Sequence, residues 1–341
     1  MYAQTAVKSH ILLRNGAYGI VMRGVKKCTC ADASLRDRNA LPLCCIKLDT
    51  ATDPDMGRET FIPGILEALS DGEQLHELWA GVSVDTMAAR ASDVEGRENL
   101  SPQDYQEILE QSDRYEAVFM TFMDKLNMLK WVARLGAVKY TDRENALCSF
   151  DDPSFAQLLA WCSTMGDTVE EGGDVPYLEL SQVVLSVEPI SNPGRLKALD
   201  ELFGEPCAFV GFPDGGSGFS CFNCDYGGSM AIPANSSNKE GAWAFIKEQL
   251  SMDKQMDIEY CLPVNRQALL RKAEEELSGE QVERLMGLLE NTRGADHCSD
   301  SQVRDIILEC GQAYLAGDKS LEETVELIQS RASLYVSEQY G

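Results

Sequence analysis

The chain has 341 residues, of which 44% are apolar and 25% charged, and its formal net charge is −25. That length allows two domains with sizeable cores. The acidic balance argues against nucleic acid as a partner, because phosphate contacts need Lys and Arg. No stretch approaches eighteen uninterrupted apolar residues, so no membrane-spanning helix is expected.

Charge is unevenly spread. Residues 1–50 hold eight Lys and Arg against three Asp and Glu, whereas the remainder holds 22 against 52. Four of the twelve cysteines (Cys28, Cys30, Cys44 and Cys45) also fall in this opening. The run "ILLRNGAYGIVMRGV" is too broken by Arg and Gly for a signal peptide, and Cys28 follows "GVKK" rather than a small-apolar lipobox. No strand pattern is read in residues 1–45. The remaining cysteines sit mostly in apolar runs and read as small buried hydrophobes.

In chain order, "QLHEL" after the Asp71-Gly72 turn and "VSVDTMAAR" are strand candidates. A helix then opens with Ser101 as N-cap, Pro102 first and Asp104 third, with Tyr105, Ile108 and Leu109 on one face. Asp152 and Pro153 repeat the device for a helix carrying Phe155, Leu158, Leu159 and Cys162. "QVVLSVEPI", "CAFVGF" and "SMAIPA" are further strands. "NKEGAWAFIKEQL" predicts a helix burying Ala242, Phe245, Ile246 and Leu250, with Trp243 in its core stripe. After "GEQVERLMGLLE" come two closing helices. The first carries Val303, Ile306, Ile307, Cys310 and Tyr314 and ends at Gly317; the second starts at a Ser320–Glu323 capping box and carries Val325, Ile328, Ala332 and Tyr335. Helices alternate with fewer, shorter strands, which points to α/β layers.

The glycine-rich run "GFPDGGSGFSCFNCDYGGSMAIPA", residues 211–234, fits no phosphate-loop template. It also lacks the nucleophile elbow, since Ser217 has Phe219 where a glycine is needed. Cys221 and Cys224 form one C-x-x-C without a second ligand pair, so neither a metal nor a redox role is expected. His10, His76 and His297 are scattered, and the carboxylates lie on helix faces without a pickable acid pair. Nothing here argues for an enzyme.

The order of "FVGFPDGGSG", "YGGSMAIPANSSNKEGAWAFIKEQLS", "CLPVNRQAL" and "IILECGQAYLAGDKSLEETVELIQSRASLYVSEQ" resembles the family-1 extracellular solute-binding proteins of ABC transporters, the maltose/sugar-binding-protein-like group. "DPDMGRETFIPGILEALSDGEQLHEL", "SPQDYQEIL" and "NMLKWVARLGAVKYTDRENALCSFDDPSFAQLL" are similar to further segments of that group, and the likeness covers about residues 46–341. It implies an α/β, periplasmic-binding-protein-like fold of type II, with two lobes made of discontinuous segments. The expected division is an atypical segment 1–45, an N-lobe remnant from 46–80 and 230–275, and a C-lobe from 84–226 and 278–341. The N-lobe is expected to be incomplete and the chain to be a truncated gene product.

The resemblance implies binding without chemistry in an inter-lobe cleft, with no cofactor and no metal. The expected partners are a small-molecule solute, a sugar by family, and ABC permease subunits in the membrane. The expected place is the extracellular face of the cell membrane or the periplasm. Candidate ligand-binding residues are Trp79 and Ser83 at the first crossover, Asn127 and Trp131 in the similar helical segment, and Phe219 and Tyr226 at the second crossover. For each aromatic a core role is an equal alternative. The other functions left open are a ligand-sensing module reusing the fold and a non-functional fragment.

Overall fold

The computed structural model describes residues 12–14, 48, 53, 56–71, 74–120, 122–166, 180–224, 228–295 and 300–341. Its first element is β1, Leu12–Arg14. A one-turn 3-10 helix at Arg58–Thr60 leads into α1, Pro63–Leu69, with proline at the first helical position, where its missing N–H costs nothing. A hairpin of β2, Ser70–Asp71, and β3, Gln74–Leu75, is followed by β4, Glu77–Trp79, and β5, Gly81–Arg90. All ten residues of β5 are buried, as in a strand covered on both faces.

Helix α2, Ala91–Val94, precedes α3, Pro102–Glu110, where Ser101 and Asp104 form the expected capping box. Helix α4, Lys125–Lys139, starts at Asp124, whose carboxylate accepts from the Asn127 N–H. Next come the hairpin β6, Thr141–Asp142, and β7, Leu147–Cys148, and then α5, Pro153–Thr164, capped by Asp152. The chain continues through β8 (Ser186–Ile190), α6 (Pro193–Phe203), β9 (Cys207–Phe209), β10 (Cys221–Asn223) and β11 (Ser229–Ala231). It closes with α7 (Lys239–Gln249), α8 (Met252–Met256), β12 (Leu262–Pro263), α9 (Arg266–Glu276), α10 (Gly279–Asn291), α11 (Ser301–Leu315) and α12 (Leu321–Tyr340).

Two compact units form. One comprises residues 1–84, 189–197 and 222–298, the other 85–188, 198–221 and 299–341. Their boundaries therefore fall inside three strands: in β5 after Val84, in β8 after Glu188 and in β10 after Cys221.

In the first unit, β1, β11 and β4 make an antiparallel sheet in that order, with Leu12 opposite Ala231 and Ser229 opposite Trp79. Strand β12 pairs with the start of β5, Leu262 opposite Val82. The expectation of no strand in residues 1–45 is thus corrected at Leu12–Arg14. Three residues are too few to show a period of two, and their extended state is supplied by pairing along β11 rather than by local pattern.

In the second unit the far end of β5 pairs with β9, Ala88 opposite Phe209. Helices α4, α5, α11 and α12 enclose a core in which Tyr140, Phe150 and Phe155 meet edge to face or tilted at centroid distances of 5.0–5.8 Å. The strand expected over 182–190 shortens to β8: Leu180–Gln182 is a 3-10 turn, and Val183 makes only an isolated bridge to Ala117.

Helix α7 departs from the expected burial. Ala242, Ile246 and Leu250 are buried, but Phe245 and Trp243 are only half-buried. The Trp243 indole donates to Asp53 Oδ2 at 2.8 Å, and the same oxygen lies 3.2 Å from Lys247 Nζ. Trp243 is therefore a polar anchor for residue 53, with its ring edge at the surface.

Candidate functional site

The glycine-rich run builds a closed backbone loop. Phe212 and Phe219 exchange N–H···O bonds of 2.8 Å in both directions, which brings the ends of the loop together. Gly211 and Gly218 sit in the left-handed region at φ +64° and +91°. A Cβ at Gly211 would lie 2.8 Å from the Phe219 nitrogen, and one at Gly218 would overlap the Val210 carbonyl oxygen. Asp214 closes the interior: its Oδ1 accepts from Gly216 N at 3.0 Å and Gly218 N at 3.2 Å, and its Oδ2 pairs with Lys139 at 3.1 Å. Two amides that a phosphate cradle would use are thus taken up by a side-chain carboxylate of the loop itself.

The loop delivers two aromatic rings to α4. Phe212, almost fully buried, lies 5.7 Å from Trp131 at an interplanar angle of 24°. Lys139 Nζ stands 6.0 Å from the Phe219 ring centre. Asn127, Trp131 and Arg134 follow i, i+4, i+7 spacing and so share one face of α4. Trp131 is half-buried, and the Arg134 guanidinium carbon is 5.2 Å from its ring centre.

Arg134 Nη2 also lies 2.7 Å from Asp85 Oδ2; the Asp85 side chain is 1% exposed and that of Arg134 is 22% exposed. A carboxylate in so dry a strand is tolerable only when paired. Beside it, the Thr86 and Ser220 hydroxyls hydrogen-bond at 2.8 Å. At the start of α4, Asn127 donates from Nδ2 to the Phe122 carbonyl at 2.9 Å and accepts from Lys130 Nζ at 3.2 Å. The arrangement sets an aromatic ring on α4 close to a guanidinium and its buried carboxylate partner.

Of the residues singled out from the sequence, Trp131 and Phe219 are joined through Phe212, and Asn127 lies one turn before Trp131. Trp79 and Ser83 belong to the first unit and are each 1% exposed; among the described residues the Ser83 hydroxyl has no hydrogen-bond partner. Tyr226 lies outside the described residues, as do His10 and His297. His76 is buried, and among the described residues neither ring nitrogen has a hydrogen-bond partner. Cys221 and Cys224 are both buried. Among the described residues no group of three or more His, Cys, Asp or Glu could hold a metal ion.

Sequence reasoning missed Phe212, Arg134 and Asp85. The signals were present: Asp85 is the one acidic residue in "VSVDTMAAR", and Arg134 is the charge within "WVARLGAV". Each is conspicuous only once its segment is known to be buried.

No family model and no curated protein matches the chain. Solved structures do match. The sugar-binding protein MalE from Xanthomonas citri has a TM-score of 0.62 at 14% identity, covering 88% of this chain and 81% of its own. MalE3 of T. maritima, solved with maltose bound, has a TM-score of 0.56 at 15% identity, covering 98% and 87%. An extracellular solute-binding protein family 1 from Alicyclobacillus acidocaldarius has a TM-score of 0.56 at 10% identity, again covering 98% and 87%. The fold of this chain is that of the periplasmic and extracellular solute-binding proteins of ABC transporters.

Proposed function

We propose that the chain binds a carbohydrate without transforming it, as the solute-binding component of an ABC importer, outside the cell membrane or in the periplasm. Its partners would be the sugar and the permease subunits. The observation that carries this reading is Trp131, a half-buried indole stacked on Phe212 and with the Arg134 guanidinium over its ring. A sugar ring has apolar C–H faces that pack on an aromatic plate and hydroxyls that hydrogen-bond to charged groups at the rim. The sugar-binding neighbours of the same fold support the assignment of solute class. Asn127 and Phe219 are the next candidates, and Trp79, Ser83 and Tyr226 remain candidates from the sequence.

The test is a thermal-shift screen over mono- and oligosaccharides, followed by calorimetry on the best ligand with the parent and with Trp131→Ala. A true ligand raises the melting temperature by mass action. Loss of the plate should weaken binding by about 1–3 kcal/mol, roughly ten- to hundredfold. A panel without any shift at millimolar sugar, or a Trp131→Ala protein that binds like the parent, would overturn the reading.

A further inference from the structure

We infer that Asp85 sets the charge of the ligand accepted at Trp131: by neutralising Arg134 it makes this surface a site for uncharged, hydroxyl-rich rings and turns away anionic ones. This rests on the carbohydrate reading above and refines it.

The pair is poorly explained as a stabilising device. Asp85 stands in a strand of ten consecutive buried residues, where an ionised group is costly. Buried ion pairs can generally be replaced by apolar residues of similar volume at little loss, so their presence is weak support for stability. What distinguishes this pair is its asymmetry: the Asp85 side chain is 1% exposed, while the Arg134 side chain as a whole keeps 22% exposure and lies over the Trp131 ring. A dry carboxylate thus holds a partly exposed arginine side chain in place against an aromatic ring.

The electrostatics follow. A neutral ring stacked on Trp131 can accept hydrogen bonds from the guanidinium without adding charge. A uronate or phosphorylated ring would bring a second negative charge close to Asp85 in a low-dielectric strand. It would also compete for a guanidinium already 2.7 Å from its carboxylate. Lys130, also on α4, is exposed and held at Asn127 Oδ1, 3.2 Å away, where solvent and salt screen it.

The prediction is a change of preference rather than a simple loss. Asp85→Asn keeps the shape and an acceptor oxygen but removes the negative charge that lies 2.7 Å from Arg134 Nη2. The probes are maltotriose and mannotriose as neutral ligands and trigalacturonate and trimannuronate as anionic ones, each titrated by calorimetry at two salt concentrations. The parent should bind a neutral probe and neither uronate. Asp85→Asn should gain measurable uronate binding, improved roughly tenfold or more and weakened by salt, since a tenfold change is what one charge-assisted contact supplies. The double variant Asp85→Asn with Arg134→Gln, which has no charge left in the pair, should return to the neutral preference. Arg134→Gln alone should lose roughly tenfold for the neutral probe and gain nothing for the uronates. A melting transition recorded for each variant separates unfolding from altered binding; if Asp85→Asn does not fold, the Arg134→Gln result decides. Uronate binding by the parent, or an unchanged neutral-to-anionic ratio in a folded Asp85→Asn protein, would overturn the inference while leaving the carbohydrate reading standing. Failure of both probe classes on the parent and every folded variant would overturn both.

Discussion

Arg90 donates from Nη1 to the Tyr115 hydroxyl at 3.1 Å and lays its guanidinium carbon 5.0 Å from the centre of the same ring. Tyr115 in turn donates to Asp93, and burial first, then that hydrogen bond, push the phenol above its ordinary pKa, so it stays a donor. The remaining Arg90 donors reach the carbonyls of Phe203, Val183 and Ser181 at 2.9–3.3 Å. One buried side chain therefore ties together the end of β5, the end of α6 and the turn before β8, and it also lies 4.9 Å from the Phe203 ring.

Replacing Arg90 by Met would keep much of the volume and remove every donor. Two buried carbonyls and a part-buried one would lose their donor, and the phenol would keep only Asp93, which should cost about 3 kcal/mol or more. Urea unfolding of the parent and variant measures this directly. A loss below about 1 kcal/mol would show that water replaces the guanidinium.

Gly218→Ala should be far more damaging than Gly204→Ala. Both glycines have positive φ, +91° and +74°. A Cβ at Gly204 meets open space, whereas at Gly218 it overlaps the Val210 carbonyl. The first change should cost about 1–2 kcal/mol, the ordinary left-handed penalty. The second should exceed that clearly, and it should also weaken ligand binding, because the loop sets the Phe212 ring under Trp131. Equal melting temperatures for the two variants would refute this account of the loop.

Much of the helical scaffold was legible because its signals are local. Ser101, Asp152 and Ser320 announce helix starts by side-chain geometry within three residues, and the structure places a cap at each. Strand ends were less legible, because β1 and the 182–185 stretch depend on partners far along the chain. The α4 face was half visible: Trp131 stood out as an aromatic, but Asp85 and Arg134 acquire meaning only from a 2.7 Å contact across 49 positions of sequence. Phe212 was hidden among glycines that match no ligand-loop template and whose conformations serve a hairpin.

Helix capping should give the protein a shallow acid sensitivity. The Ser101 hydroxyl and backbone hydrogen bonds hold the Asp104 carboxyl below its ordinary 3.8, and those of Ser154 do the same for Asp152. A depressed folded-state value means that the ionised form is favoured by folding. The contribution is fully present above 3.8 and is lost as pH falls through the folded value. Asp104→Asn keeps an acceptor but does not titrate, so its melting temperature should fall less than the parent's between pH 5 and 3. Parallel pH curves for the two proteins would show that the box carries no pH-linked stability.

Gln255 offers the sharpest test of the first unit. It is fully buried, and every site of its amide is used. Nε2 donates to the carbonyls of Ala80 at 2.8 Å and Gln249 at 3.0 Å, while Oε1 accepts from the N–H groups of Val264 and Asn265 at 2.8 and 3.1 Å. It joins the turn before β5, the end of α7 and the entry to α9. Gln255→Glu has the same shape but, when ionised, faces two carbonyl oxygens with no donor. When protonated it regains one. Burial and those carbonyls should raise the carboxyl above the ordinary Glu value of about 4.3, so the variant's stability is greatest below that value and is lost as pH rises through the shifted one. The deficit relative to the parent should reach about 3 kcal/mol or more at pH 7 and shrink toward pH 4.5. Gln255→Leu, which cannot titrate, should show a deficit of similar size at both pH values. Urea unfolding of the three proteins at the two pH values decides the matter: a Glu variant whose deficit does not change with pH would mean that the amide is not held between these four backbone groups.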